Sequence, residues 1–215
     1  MKVVAAMLLS ASIAAPRQST DATLDRAVAA YAKVKTLNAS FTQSITNPLT
    51  GSAITSRGEM LQQIPGKLSV RFTDPAGDRI VADGKAVWVY LPSTDPKQVL
   101  KLRAGEGVTG TPDVTAQFLE SPKSRYTVSD AGKSSIAGRP AHALLLVPRQ
   151  AGMPFSKATI WVDDADNLVR QFETVQGDGV VRRVTITRLA INGPVDAAAF
   201  TFVPPKGVSV FDQSR

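Results

Sequence analysis

Apolar residues recur along this chain at two spacings. In residues 21–37, Leu24, Ala27, Val28, Tyr31 and Val34 fall at three- and four-residue steps, which places them on one face of a helix. Arg26, Lys33 and Lys35 take the other sides, and Thr20 or Asp21 can cap the start. After this helix the spacing changes to two. In KLSVRFT (67–73), Leu68, Val70 and Phe72 alternate with Lys67, Ser69, Arg71 and Thr73, the pattern of a half-buried strand. ASFTQSI (39–45), SRGEMLQQ (56–63), RIVAD (79–83), AVWVYL (86–91) and QVLKL (98–102) read the same way. A second helix is predicted over 112–120, with Thr111 as cap, Pro112 at the first helical position and Val114 and Phe118 sharing a face. Ser121-Pro122 should stop it. RYTVSD, AHALLLV, KATIWVDD, LVRQFETVQ and VVRRVTITRL then resume the strands.

The separators are turn chemistries, such as Asp74-Pro75-Ala76-Gly77, Asp83-Gly84-Lys85 and Gly177-Asp178-Gly179. Parallel strands need long crossovers, and most gaps here are too short for one. The pattern therefore predicts about eleven strands in one curved antiparallel sheet or open barrel, with one or two helices against it. The fold class is mainly β, in the α+β sense. No internal repeat is visible.

The first residues change the picture. Met1-Lys2 is a short positive start, residues 3–9 are apolar, and Ser12 and Ala14 are small residues at the −3 and −1 positions of a cleavage site. The apolar run falls short of the ~20 residues a membrane span needs. Residues 1–14 are expected to be a cleaved signal peptide, with 15–215 a single domain in an extracytoplasmic space.

Composition removes several chemistries. The chain has 215 residues and no cysteine, so disulfides, thiol catalysis and a lipid-modified cysteine are excluded. His142 is the one histidine, which leaves no multi-histidine metal site. The formal net charge of +7 is spread along the chain without a basic stripe and interleaved aromatics, so nucleic acid is not the expected partner. VDDADN (162–167) spaces its acids like a calcium loop but lacks the glycine and glutamate of an EF-hand, and it reads as a solvated turn. GEGVTG (105–110) has the glycines of a dinucleotide fingerprint without a βαβ setting. No G-x-S-x-G is present. No cofactor, no metal and no enzymatic activity are expected.

What remains is a surplus of apolar strand positions. These can be an ordinary core, or they can line a space for an apolar ligand between sheet and helices. Periodicity alone does not separate the two.

Several segments together resemble the outer-membrane lipoprotein carrier family, LolA. They are ASFTQSI after the first helix, QQIPGKLSV, IVADGKAVWVYLP followed by QV, and the closing VDAAAFTFVPPKGVSVFDQSR. The last is the most specific, and the resemblance runs in consistent order from about residue 21 to the end. It implies an unclosed antiparallel β-barrel with helices forming a lid over an apolar cavity. It also implies a periplasmic carrier that takes triacylated lipoproteins from an inner-membrane ABC-type release complex, holds their acyl chains, and delivers them to the outer membrane, with or without a separate receptor there. A receptor anchored through a lipidated cysteine does not match a chain without cysteine. The family's C-terminal segment, here after Phe202, is an added loop that helps keep cargo from returning to the membrane. One departure stands out: the family commonly has an arginine before the proline where this chain has Ile64-Pro65, and an aromatic where it has Val70. Apolar contact from Ile64 would then replace a charged lid latch.

On this reading the acyl-chain lining is Leu68, Val70, Phe72, Trp88, Tyr90, Leu144 and Leu146, and the lid residues are Leu24, Val28, Tyr31, Ile64, Val114 and Phe118. The face of AVWVYL stays open, because Trp88 and Tyr90 share one side and Val87 and Val89 the other. A monomer is expected. The alternative function is a periplasmic sensor of lipids or lipoproteins on the same fold.

Overall fold

The computed structural model describes residues 16–104 and 115–214. The expected signal peptide, the GEGVTG run, Thr111, Pro112 and Val114 lie outside the described residues.

The period-two segments form twelve strands of one sheet. In chain order they are β1 (Thr36–Thr46), β2 (Ala53–Gln63), β3 (Lys67–Asp74), β4 (Ala76–Asp83), β5 (Ala86–Tyr90), β6 (Gln98–Arg103), β7 (Tyr126–Ile136), β8 (Arg139–Pro148), β9 (Lys157–Asp163), β10 (Val169–Val175), β11 (Val181–Ile191) and β12 (Ser209–Asp212). Across the sheet the order is β12-β6-β5-β4-β3-β2-β1-β11-β10-β9-β8-β7. The sheet does not close: β12 and β7 are its two edges.

Two antiparallel meanders, β1–β6 and β7–β11, account for most neighbours. β1 joins them, pairing β2 on one side and β11 on the other, from Leu37 opposite Ile191 to Thr46 opposite Val181. A register shift between Ser40 and Phe41 interrupts the β1–β11 ladder, the local irregularity that increases strand twist. The short connections work as their residues suggest. Between β4 and β5, Gly84 takes φ +92°, and Asp83 Oδ1 accepts the backbone N–H groups of Lys85 (2.7 Å) and Ala86 (2.8 Å).

Three expectations need correction. The first helix, α1, spans Pro16–Tyr31 rather than 21–37. Its expected last turn is a bend, and Leu37 begins the alternation Leu37, Ala39, Phe41 of β1, where pairing on both sides overrides helical spacing. The second helix is irregular where it is described: Thr115–Leu119 form a π-helical turn, and Pro122 opens a one-turn helix, α2 (Pro122–Arg125), instead of stopping one. Ser121, at φ +48°, separates the two pieces. Finally, the sheet is not wholly antiparallel. The C-terminal segment adds β12, which lies parallel to β6, with Ser209 N–H donating to Lys97 O (2.9 Å) and Gln213 N–H to Lys101 O (2.8 Å). That strand covers what would otherwise be an open edge of β6.

Candidate functional site

One face of the sheet, called inner here, is apolar across nearly its whole width. β3 contributes Leu68, Val70 and Phe72, all buried, and Val70 is fully inaccessible. From the other meander, β8 sends Leu144 and Leu146 to the same cluster, opposite Ile160 and Ala158 of β9. The strict alternation of each strand carries these residues to one side, and the ladder brings distant strands into a single surface.

α1 and the π-helical turn lie on this face. Leu24, Ala27 and Tyr31 of α1 and Phe118 and Leu119 of the turn are buried in the cluster, and Val28 packs at its margin. Phe118 sits 5.2 Å from Phe172 of β10 and 5.9 Å from Phe155, ring centre to ring centre. The Phe41 ring meets Phe72 edge-on at 5.7 Å. Phe41 is visible in the sequence as an alternating position of β1. Phe155 is not: it stands alone in the Pro/Gly/Ser-rich β8–β9 connection, with only its bulk as a signal.

Polar contacts also fasten α1. Tyr31 Oη accepts the buried N–H of Val169 (3.3 Å), and Arg26 Nε donates to Asn167 Oδ1 in the β9–β10 turn (3.1 Å). Asp25 pairs with Lys123 of α2 at the surface. Ile64 is half-buried against the cluster, and its N–H donates to Lys35 O (2.9 Å).

Trp88 and Tyr90 stand on the other side of the sheet. On β5 it is Val87 and Val89 that join the inner cluster. Trp88 and Tyr90 instead pack on Phe202, with ring centres 5.8 and 6.2 Å from it, and Trp88 Nε1 donates to Asp83 Oδ2 (3.0 Å). The physical reason is the C-terminal segment, which crosses the outer face towards β12 and gives two wide rings a cover there. On β5, then, the aromatics serve the outer face and the valines the inner one.

The inner face ends in polar groups where β1 turns into β2. Arg182 Nε donates to Gln43 Oε1 (2.8 Å), and Gln43 Nε2 donates to Ser56 Oγ (3.1 Å). Burial pushes the Arg182 guanidinium down to about 10. This residue is legible in the sequence only as positive charge.

The acid-rich turn is an ion-pair network. Asp163, 1 % exposed, accepts from both Arg139 and Arg170, and Asp166 pairs with Arg170. Burial alone would raise the Asp163 carboxyl. The bonds from Arg139, the Ala165 N–H and Arg170 oppose it and hold the group down at about 2. Among the described residues no cluster of His, Asp and Glu is arranged to hold a metal ion. None of the described helices is long and apolar enough to cross a membrane.

The model of the family "Outer membrane lipoprotein carrier protein LolA" matches residues 32–203. The chain belongs to the LolA family. An outer-membrane lipoprotein carrier protein of Klebsiella pneumoniae is 29% identical over 184 residues, 85% of this chain and 84% of its own. Among solved structures, an uncharacterized conserved protein from Thermus thermophilus aligns with a TM-score of 0.57 at 16% identity, over 91% of this chain and all of that one. MucB aligns at 0.52 and 18% identity, over 87% of this chain and 64% of MucB. These last two are likenesses of fold. The Ile64 side chain makes its contact through hydrocarbon, while Tyr31, Arg26 and Asp25 are among the polar fastenings of α1.

Proposed function

We propose that this LolA-family chain is a periplasmic carrier that binds the acyl chains of triacylated lipoproteins on its inner face, beneath α1 and the π-helical turn. The observation that carries this is the extent of one apolar face, built from both meanders and covered by α1 and the π-helical turn. Each buried methylene contributes about 0.8 kcal/mol, the favourable term that an acyl chain brings against the burial α1 gives up when it moves. Leu68, Val70, Phe72, Leu144 and Leu146 line the binding surface in this reading, with Leu24, Val28, Tyr31, Ile64 and Phe118 on the lid side. Val87 and Val89 take the place of Trp88 and Tyr90. Cargo comes from an ABC-type release complex of the inner membrane and goes to the outer membrane, and the carrier travels as a monomer.

The test is release of a triacylated lipoprotein from spheroplasts, followed by native mass spectrometry. A soluble one-to-one complex that a non-acylated cargo fails to form is the expected result. A chain that releases nothing and stays without cargo overturns the carrier reading.

A further inference from the structure

The end of the sheet where β1 turns into β2 exposes two large apolar residues. Leu49, in the turn, is 91% exposed, and Ile54, at the start of β2, is 72% exposed. Single exposed apolar residues are ordinary on soluble proteins. These two share one hairpin tip, and the turn holds Leu49 outward through its own bonds. Asn47 N–H donates to Ser52 O and Gly51 N–H to Asn47 O, both at 2.9 Å, and Leu49 N–H donates to Asn47 Oδ1 (2.9 Å). The Thr50 and Ser52 hydroxyls bond each other at 2.6 Å. Pro48 abuts the neighbouring β10–β11 turn, where a Cβ on Gly179 would stand 3.1 Å from its ring.

Beside this tip is a groove of about 230 Å³. Its walls include Thr42, Ser44, Thr55 and Thr185, with Arg57 and Arg183 at its sides. Register places these residues together: Thr42 lies between Arg57 and Thr185, and Ser44 between Thr55 and Arg183. Arg183 also donates to Glu173 Oε2 (2.9 Å), so its charge is shared. Arg57 is three residues from Ile54, so its side chain stands on the opposite face of β2, about 10 Å further from the tip.

If the hairpin approaches end-on, its apolar tip precedes the hydroxyls and arginines that stand further up on one face, an order that matches hydrocarbon beyond an anionic phosphodiester layer. We propose that this end of the molecule docks on an anionic phospholipid bilayer. Leu49 and Ile54 enter the boundary between headgroups and acyl chains, and the groove receives a lipid phosphate between Arg57 and Arg183. The N–H groups of Asn47, Leu49, Gly51 and Ser52 are already bonded within the turn, which lowers the cost of entering that layer. Positive charge and apolar burial act together, as they do for interfacial helices. The docking does not require cargo, so its failure and that of the carrier reading are separable.

The experiment is co-sedimentation of the cargo-free chain with vesicles of phosphatidylcholine, with and without phosphatidylglycerol. Binding to the anionic vesicles is expected, weakening as salt rises. Leu49→Asp and Ile54→Asp should each weaken it by at least about ten-fold, with unchanged melting because both sites are exposed. Arg57→Ala should weaken it on anionic vesicles alone. In a Leu49→Trp variant, the emission should shift to the blue on vesicle addition. The proposal is overturned if the chain stays in the supernatant, if the Asp variants bind as the parent does, or if Trp at 49 stays in water while the chain sediments. Loss of cargo transfer in Leu49→Asp without any vesicle binding by the parent would assign the tip to a protein partner instead. Inorganic phosphate retained at the groove in the absence of vesicle binding would reduce it to an anion site.

Discussion

The ring of Phe41 lies against the α-carbon of Gly58, its direct partner across the β1–β2 ladder. A Cβ at position 58 would stand 2.8 Å from Phe41 Cζ and 2.6 Å from Arg71 O. Glycine is required here by close approach to the ring and to the β3 backbone. Gly58→Ala must displace the Phe41 ring, which also packs edge-on against Phe72. The expected cost is about 1–3 kcal/mol, as for other overpacked cores. Urea unfolding measures it, and an unchanged midpoint would show that the sheet yields freely here.

Tyr31 Oη is the acceptor for the Val169 N–H at the edge of the apolar face. Tyr31→Phe keeps the ring and removes that acceptor. A buried donor left unsatisfied costs about 1–3 kcal/mol. Hydrogen exchange in α1 should accelerate more than in β1, because the tie is between helix and sheet. Equal acceleration in both would mean that Tyr31 does not fasten the lid.

Ile64 touches the inner cluster through hydrocarbon alone. Ile64→Arg brings a charge to a half-buried place and should alter both α1 exchange and the rate of cargo transfer. If both rates stay as in the parent chain, Ile64 has no latch role.

The outer face is predicted to be separable from the inner one. Phe202→Ala uncovers Trp88 and Tyr90, and tryptophan emission should move to the red. Acyl-cargo binding should persist. Phe118→Ala, which opens the inner cluster, should lose about 3–5 kcal/mol of stability and weaken cargo binding. Loss of cargo in Phe202→Ala at unchanged stability would put the ligand on the outer face.

Asp163 makes stability depend on pH. Its carboxyl is at about 2 in the folded chain against an ordinary 3.8. A depressed carboxylate contributes stability that is full above the unfolded value and is lost as pH falls through the folded one. Between about pH 4 and 2, then, about 2 kcal/mol should disappear. Asp163→Asn should flatten this part of the pH profile in denaturant titrations. A variant with the parent's slope would assign the acid sensitivity elsewhere.

The sequence segments foretold eleven of the twelve strands, some, like KLSVRFT, by a visible period of two and others, like AHALLLV and AVWVYL, by short apolar runs between turn residues. β3 is the clearest case: Leu68, Val70 and Phe72 are buried as the pattern requires. The twelfth strand, Ser209–Asp212, is four residues long and depends on an edge of β6 that no local pattern announces. The same limit applies to Trp88 and Tyr90. Alternation says that they share a side, and the distant Phe202 decides which side. Arg182 shows it again, since a charged residue in a strand reads as solvated until Gln43 and the surrounding sheet enclose it.

By itself, then, the sequence determined the strands, the turns between them, the absence of thiol chemistry and the likeness to a lipoprotein carrier. These rest on local periodicity, composition and motif order. Tertiary structure decided where α1 ends, which face of β5 is inner, how the C-terminal segment covers β6, and that Leu49 and Ile54 stand exposed beside an arginine-flanked groove. Those outcomes depend on contacts between residues far apart in the chain, whose energies exceed the local preferences of the segments they join.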